Sequence, residues 1–195
     1  MKKAEILKKT RVFDGFFKLD EAELRYERFD GTMSPLVRRL SFERGDSAAA
    51  ILYDPELERV ILIDQFKYPT YENGDGWLVE VVAGAIDPGE APDAAIRREI
   101  LEETGYVPAK LVPISTFYVS PGGSSERIFL YYAEVDGESR ASAGGGVASE
   151  HEDIETREFA PAELFEMLDK GDIADAKTII AIQWLRRAIE EGLPR

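Results

Sequence analysis

Along the chain, the spacing of apolar and polar positions changes from strand-like to helical and back. Short segments rich in β-branched and aromatic residues at 11–17, 21–29 and 37–43 predict antiparallel strands, the last two separated by a turn at Asp30-Gly31. Apolar runs at 48–53 and 60–66, joined by Asp54-Pro55, and at 77–83 predict further strands. The period then becomes helical. Pro92 suits a first helical turn, Asp93 complements the positive end of the helix dipole, and Gly105 is placed for a left-handed stop, so a helix is predicted over about residues 91–104. Strands are expected at 111–119 and 127–135, followed by a Gly/Ser-rich loop, ASAGGGVASEHED, over 141–153. Two amphipathic helices near 161–169 and 174–190 close the chain. Strands on both sides of a central helix, then terminal helices, predict an α/β sandwich on a mixed sheet, preceded by a small antiparallel β segment.

The central helix carries an unusual charge pattern. At roughly 100° per residue, Ile96 and Ile100 share one face while Glu99, Glu102 and Glu103 occupy an adjoining arc. Glu102 and Glu103 lie in the last turn, where the dipole disfavours anions by about 0.3–1 kcal/mol each. Glu99 and Glu103 form an i,i+4 like-charge pair, which in a half-buried cleft costs roughly 3 kcal/mol at an effective dielectric near 20. Arg98, four residues before Glu102, accounts for Glu102 alone. From the helix by itself, a solvated acidic face and a divalent-cation site both remain open.

Composition narrows the classes of function. The chain has 195 residues, 38 acidic against 24 basic, and a formal net charge of -14, which argues against nucleic acid and anionic membranes as partners. It has no cysteine, which removes disulfides, thiolate nucleophiles and thiolate metal sites. His151 is the only histidine, and no G-x-S-x-G elbow accompanies it. The N-terminal MKKAEILKKT lacks an apolar stretch behind its basic residues, and no run approaches a membrane span, so a soluble cytoplasmic protein is expected.

The stretch GAIDPGEAPDAAIRREILEETGY from Gly84 to Tyr106 resembles the Nudix box: Gly84, Glu90, Arg98, Glu99, Ile100, Glu102, Glu103, Gly105 and Tyr106 match its pattern. Segments 15–20 (GFFKLD), 37–49 (VRRLSFERGDSAA), 120–127 (SPGGSSER) and 172–185 (DIADAKTIIAIQWL) are similar to the bacterial ADP-ribose pyrophosphatase branch, which includes GDP-mannose hydrolases. Pro121 stands 16 residues beyond Gly105, the spacing that marks ADP-ribose hydrolases within the family.

The resemblance implies a Nudix-type α/β/α sandwich over 46–195 and a β-rich segment, 1–45, that serves dimerisation and the base pocket. It implies a homodimer with exchanged N-terminal strands and a metal-dependent hydrolysis of ADP-ribose to AMP and ribose 5-phosphate. A GDP-mannose or broader nucleotide-sugar pyrophosphatase is the alternative, kept open by the glycine run and by Leu40. A nucleotide-sensing domain without chemistry is the third reading, disfavoured by the intact box. By resemblance, Glu99, Glu102 and Glu103, with the backbone carbonyl of Ala83, hold Mg²⁺ or Mn²⁺, and Arg98 orients the glutamates. Lys67 stands where relatives often carry a phosphate-binding arginine, Phe16 and Arg39 match positions at the base end, and Pro121 and Glu126 line the substrate.

The general base is expected elsewhere, because a carboxylate bound to a cation is a poor proton acceptor. The loop after Gly144-Gly145-Gly146 supplies Glu150, Glu152 and Asp153, and its glycines permit wide backbone excursions. Alignment with the resembled enzymes places the catalytic glutamate at Glu150, with Glu152 as runner-up. His151, flanked only by carboxylates, is the poorer candidate.

Overall fold

The first strand begins at Ala4, well before the segment 11–17 predicted for it. In the computed structural model, which describes residues 2–193 apart from the side chain of Glu150, β1 (Ala4–Asp14) pairs antiparallel with β2 (Lys18–Tyr26), and β2 with β3 (Val37–Glu43). The expected strand over 11–17 therefore ends three residues early. Gly15, Phe16 and Phe17 form the turn, where a Cβ on residue 15 would stand 2.8 Å from the Phe13 ring. Two irregularities in the β1–β2 ladder, between Ile6 and Lys8 and between Arg11 and Phe13, bend the ribbon. Asp20 is buried within it, bound by Arg11 at 2.8 Å and Lys9 at 2.9 Å.

The chain folds as two compact units. One contains everything up to Asp46 together with Tyr118–Arg127, a turn segment joined to β3 by Phe42 N–H donating to the Gly123 carbonyl at 2.8 Å. The other contains Ser47–Phe117 and the chain from Ile128 onward.

The second unit is built on a seven-stranded mixed sheet in the order β10-β5-β4-β9-β8. These are β4 (Ser47–Asp54), β5 (Arg59–Phe66), β8 (Lys110–Tyr118), β9 (Arg127–Glu134) and β10 (Ile154–Phe159), with β6 (Trp77–Glu80) on β5 and β7 (Val82–Ala85) on β4. β4 runs parallel to β9 and antiparallel to β5 and β7. All eight β4 residues are buried, as its unbroken apolar run requires of a strand covered on both faces. Ala48, Ala50 and Leu52 pack with Ala95, Ile96 and Ile100 of α2 (Pro92–Thr104). Ala49, Ile51 and Tyr53 pack with Leu164 of α3 (Pro161–Lys170) and with Ile182 and Leu185 of α4 (Ala176–Glu191). A four-residue helix, α1 (Tyr68–Tyr71), follows β5. Helices on both faces of a mixed sheet make the expected α/β/α sandwich.

Two departures from the predicted strands have physical causes. The run 77–83 is two strands, because the N–H of Val81 leaves the ladder and donates to Thr178 Oγ1 at 2.9 Å, allowing the chain to pass from β5 to β4. β10 has charged residues at three of its six positions and buries only Ile154 and Phe159, so its apolar pattern is too weak to predict a strand; pairing with β5 creates it. Among the described residues no helix is long and apolar enough to cross a membrane.

Candidate active site

α2 is set by the signals read from its sequence. Ala91 is extended, Pro92 opens the helix, and Gly105 ends it at φ 78° with its N–H on the Leu101 carbonyl. β7 runs beneath it. A Cβ on Gly84 would stand 1.9 Å from the Glu99 carboxylate, so only glycine lets that carboxyl lie against the strand. Ala83, whose carbonyl is an expected ligand, lies in β7 opposite Ala49.

The three helix carboxylates differ in their surroundings. Glu103 is 2 % exposed, and its Oε2 is buried without a hydrogen-bond partner. Burial, then the neighbouring charge of Glu99, pushes its carboxyl well above the usual carboxylate range, with Glu80 and Glu152 adding to the effect and Lys67 opposing it. Burial also raises Glu99, against the pull of Arg98. Arg98 binds Glu99 at 2.7 Å, Glu102 at 3.2 Å and Glu90 at 3.1 Å, and donates to the Ala85 carbonyl at 3.2 Å. Its guanidinium thus joins Glu99 as well as Glu102, a contact between adjacent residues that the helical spacing did not suggest. Glu90 also accepts from the Asp87 N–H at 3.1 Å, fixing the turn before the helix.

Among the described residues no three His, Asp or Glu side chains converge as a ready-made cation cage. Arg98 draws Glu99 and Glu102 to itself. Glu103 nonetheless has a buried, unpaired oxygen in the field of three other carboxylates, an arrangement that hard divalent cations satisfy and that is otherwise unfavourable.

The glycine loop is anchored where it meets α2. Gly145 and Gly146 donate to the Glu103 and Glu102 carbonyls at 2.9 and 3.0 Å, and Ala141 to Gly105 at 2.7 Å, satisfying carbonyls that a helix end leaves open. A Cβ on Gly144, at φ 70°, would come within 2.6 Å of the Glu103 carbonyl oxygen. These glycines therefore serve close approach, where the sequence suggested freedom of motion. Beyond them, a 3₁₀ turn (Ala148–Glu150) ends at His151 in the left-handed region, φ 58°. The Glu152 carboxylate folds back to accept the Val147 N–H at 2.9 Å and contributes to the field on Glu99 and Glu103. The side chain of Glu150 lies outside the described residues.

Lys67 belongs to the same unit, at the end of β5. Phe16, Arg39, Pro121 and Glu126 belong to the other. Phe16 is 95 % exposed and meets Phe17 edge-on at 4.8 Å; Arg39 is exposed and donates to the Arg38 carbonyl at 2.8 Å. Pro121 opens an exposed turn, and Glu126 is buried with Arg44 at 3.5 Å. The sequence reading passed over Glu80 and Lys177, a buried ion pair whose one visible signal is a carboxylate inside the apolar strand WLVEVVA.

The NUDIX domain family profile matches residues 43–182. An ADP-ribose pyrophosphatase of Escherichia coli is 38% identical over 183 residues, covering 93% of this chain and 87% of that protein. A GDP-mannose pyrophosphatase of Cronobacter sakazakii is 40% identical over 184 residues, covering 93% of this chain and 94% of the other. The solved structure of an ADP compounds hydrolase superposes with a TM-score of 0.74 at 20% identity, covering 97% of this chain and 96% of that one.

Proposed function

The chain belongs to the NUDIX domain family, as a hydrolase, and from that premise we propose that it cleaves the pyrophosphate of ADP-ribose, giving AMP and ribose 5-phosphate. The observation that carries the chemistry is the buried, unpartnered Glu103 oxygen on a helix that also bears Glu99 and Glu102. Glu99 and Glu103, with Glu102 and the Ala83 carbonyl, are the proposed holders of Mg²⁺ or Mn²⁺. Held there, such an ion would neutralise the charge of a pyrophosphate and make an attacking water more acidic. Arg98, in contact with Glu99 and Glu102, orients both carboxylates, and Lys67 offers its ammonium to a phosphate oxygen. A free carboxylate from the loop, Glu150 or Glu152, takes the proton of the attacking water.

The N-terminal unit supplies the remaining proposals: Phe16 and Arg39 at the base, Pro121 and Glu126 along the substrate. Exposure of Ile6, Leu7 and Phe13 in a three-stranded sheet, and of Phe16 in its first turn, supports a homodimer in which this sheet is exchanged between copies. GDP-mannose is the second reading, favoured by the similarity to GDP-mannose pyrophosphatases. Turnover of ADP-ribose and GDP-mannose with Mg²⁺ and with Mn²⁺, products identified, decides between them. Faster cleavage of GDP-mannose would transfer the assignment, and no cleavage of either would remove it.

A further inference from the structure

The root of the Lys67 side chain is fixed on three sides. Its N–H donates to the Gly76 carbonyl at 2.7 Å, and its own carbonyl accepts from the N–H of Thr70 at 3.0 Å and from Thr70 Oγ1 at 2.8 Å. The side chain is 37% exposed, and the ammonium at its tip donates to Oε1 of Gln65 and stands 3.2 Å from Oε1 of Glu80. That second contact is an ion pair off the axis of a directed hydrogen bond, so Glu80 Oε1 remains without a directed donor. Gln65 and Glu80 are 8% and 3% exposed. Alternation along β5 puts residues 65 and 67 on the face of Ile63, which lies opposite Glu80 in β6, so all three polar groups share one side of the sheet.

The other oxygen of Glu80 is bound by Nζ of Lys177, an atom 3.1 Å from Asp175 on a side chain that is 12% exposed. Lys177 sits in the first turn of α4, which Asp175 caps by accepting from the Thr178 N–H at 2.9 Å. A chain of contacts thus runs from the helix start through Lys177 and Glu80 to Lys67. The field of Lys67 reaches Glu103.

A buried ion pair such as Glu80–Lys177 is weak evidence for stability, since an apolar pair of similar size does as well. It does supply a fixed anion beneath Lys67. Lysine is a point charge on a flexible stem and lacks the rigid fork with which arginine grips phosphate. We infer that Gln65 and Glu80, backed by Lys177, are positioning residues that hold the Lys67 ammonium beside the acidic helix, so that its remaining donors meet an oxygen of a bound diphosphate. Gln65 sets the direction of the ammonium and Glu80 its position. The inference rests on the hydrolase reading for where the diphosphate lies.

The test is a double-mutant cycle read as ADP affinity in the presence of Mg²⁺, by calorimetry, with hydrolysis of ADP-ribose and GDP-mannose followed in parallel. Glu80→Gln would strand the buried Lys177 ammonium and is expected to disturb folding, so Gln65→Met carries the measurement. Lys67→Ala is expected to weaken ADP binding about tenfold, the order for one charge-assisted hydrogen bond. Gln65→Met should weaken it about three- to tenfold, and the double variant should bind no more weakly than Lys67→Ala, because Gln65 acts through Lys67. Unchanged ADP affinity in Gln65→Met, or losses that multiply in the double variant, would overturn the clamp. Failure of the parent to hydrolyse either nucleotide sugar would instead count against the hydrolase reading, while the cycle on ADP still judges the clamp.

Discussion

At the scale of single residues, Glu103 and Asp20 are buried carboxylates with opposite consequences. In Glu103, burial and Glu99 raise the pKa in the folded state, so the ionised group opposes folding at neutral pH and is relieved as the pH falls. Glu103→Gln should therefore raise the melting temperature of chelator-treated protein, while Mg²⁺ should stabilise the parent and not the variant; calorimetric scans with and without Mg²⁺ check both. In Asp20, the hydrogen bond from Arg11, then that from Lys9, lowers the pKa to about 2. Its stabilisation is present above the ordinary carboxylate pKa and is lost as the pH falls through about 2. Asp20→Asn should weaken β1–β3 at neutral pH and remove that acid dependence, as read by amide hydrogen exchange. For the proposed base, Glu150→Gln should lower kcat by about 10² to 10⁴ with little change in Mg²⁺ affinity. If Glu152→Gln shows that loss and Glu150→Gln does not, the register shifts by two residues; if neither does, the loop does not hold the base.

At the scale of elements, two junctions hold the site's frame. Val81 hands its hydrogen bond to Thr178, which is fully buried, so β6 and β7 separate and α4 is pinned to the gap between them. Thr178→Val keeps the shape but orphans a buried N–H, and is expected to cost about 1–3 kcal/mol in urea unfolding. The second junction is the docking of Gly144–Gly146 on the end of α2. Gly144→Ala would drive a methyl group into the Glu103 and Thr104 backbone, lifting the loop that carries both candidate bases. Turnover should fall while the circular dichroism spectrum is retained.

At the scale of the whole molecule, the charge is uneven: the strongly acidic chain begins with a segment in which Lys2, Lys3, Lys8, Lys9 and Arg11 cluster within a few residues. The same segment exposes Ile6, Leu7 and Phe13 at 65%, 58% and 60%. A sheet of three strands is marginal when alone, and apolar groups so exposed favour a partner surface. Sedimentation at micromolar concentration should find the proposed dimer, and Phe13→Asp should shift it toward monomer with loss of activity. A monomer with full activity would overturn the exchange of strands.

The local signals of the sequence were sufficient for the sandwich, the acidic helix and its ends. Pro92 and Gly105 act through backbone geometry that a neighbour in the chain can set, and the run in β4 reports burial on both faces wherever its partners come from. The placement of Glu99, Glu102 and Glu103 beside the buried face was likewise legible from helical periodicity. Other features arise only from contacts between distant residues. The break at Val81 comes from a hydroxyl on Thr178, β10 exists because β5 offers it a ladder, and the anchored glycines depend on carbonyls at the end of α2. Glu80 is the plainest case. In sequence it is a polar interruption in an apolar strand, and its place between Lys67 and Lys177 follows from bringing β5, β6 and α4 together. Local propensity depends on residues near in sequence, while a buried charge is decided by whichever opposite charge folding carries into reach.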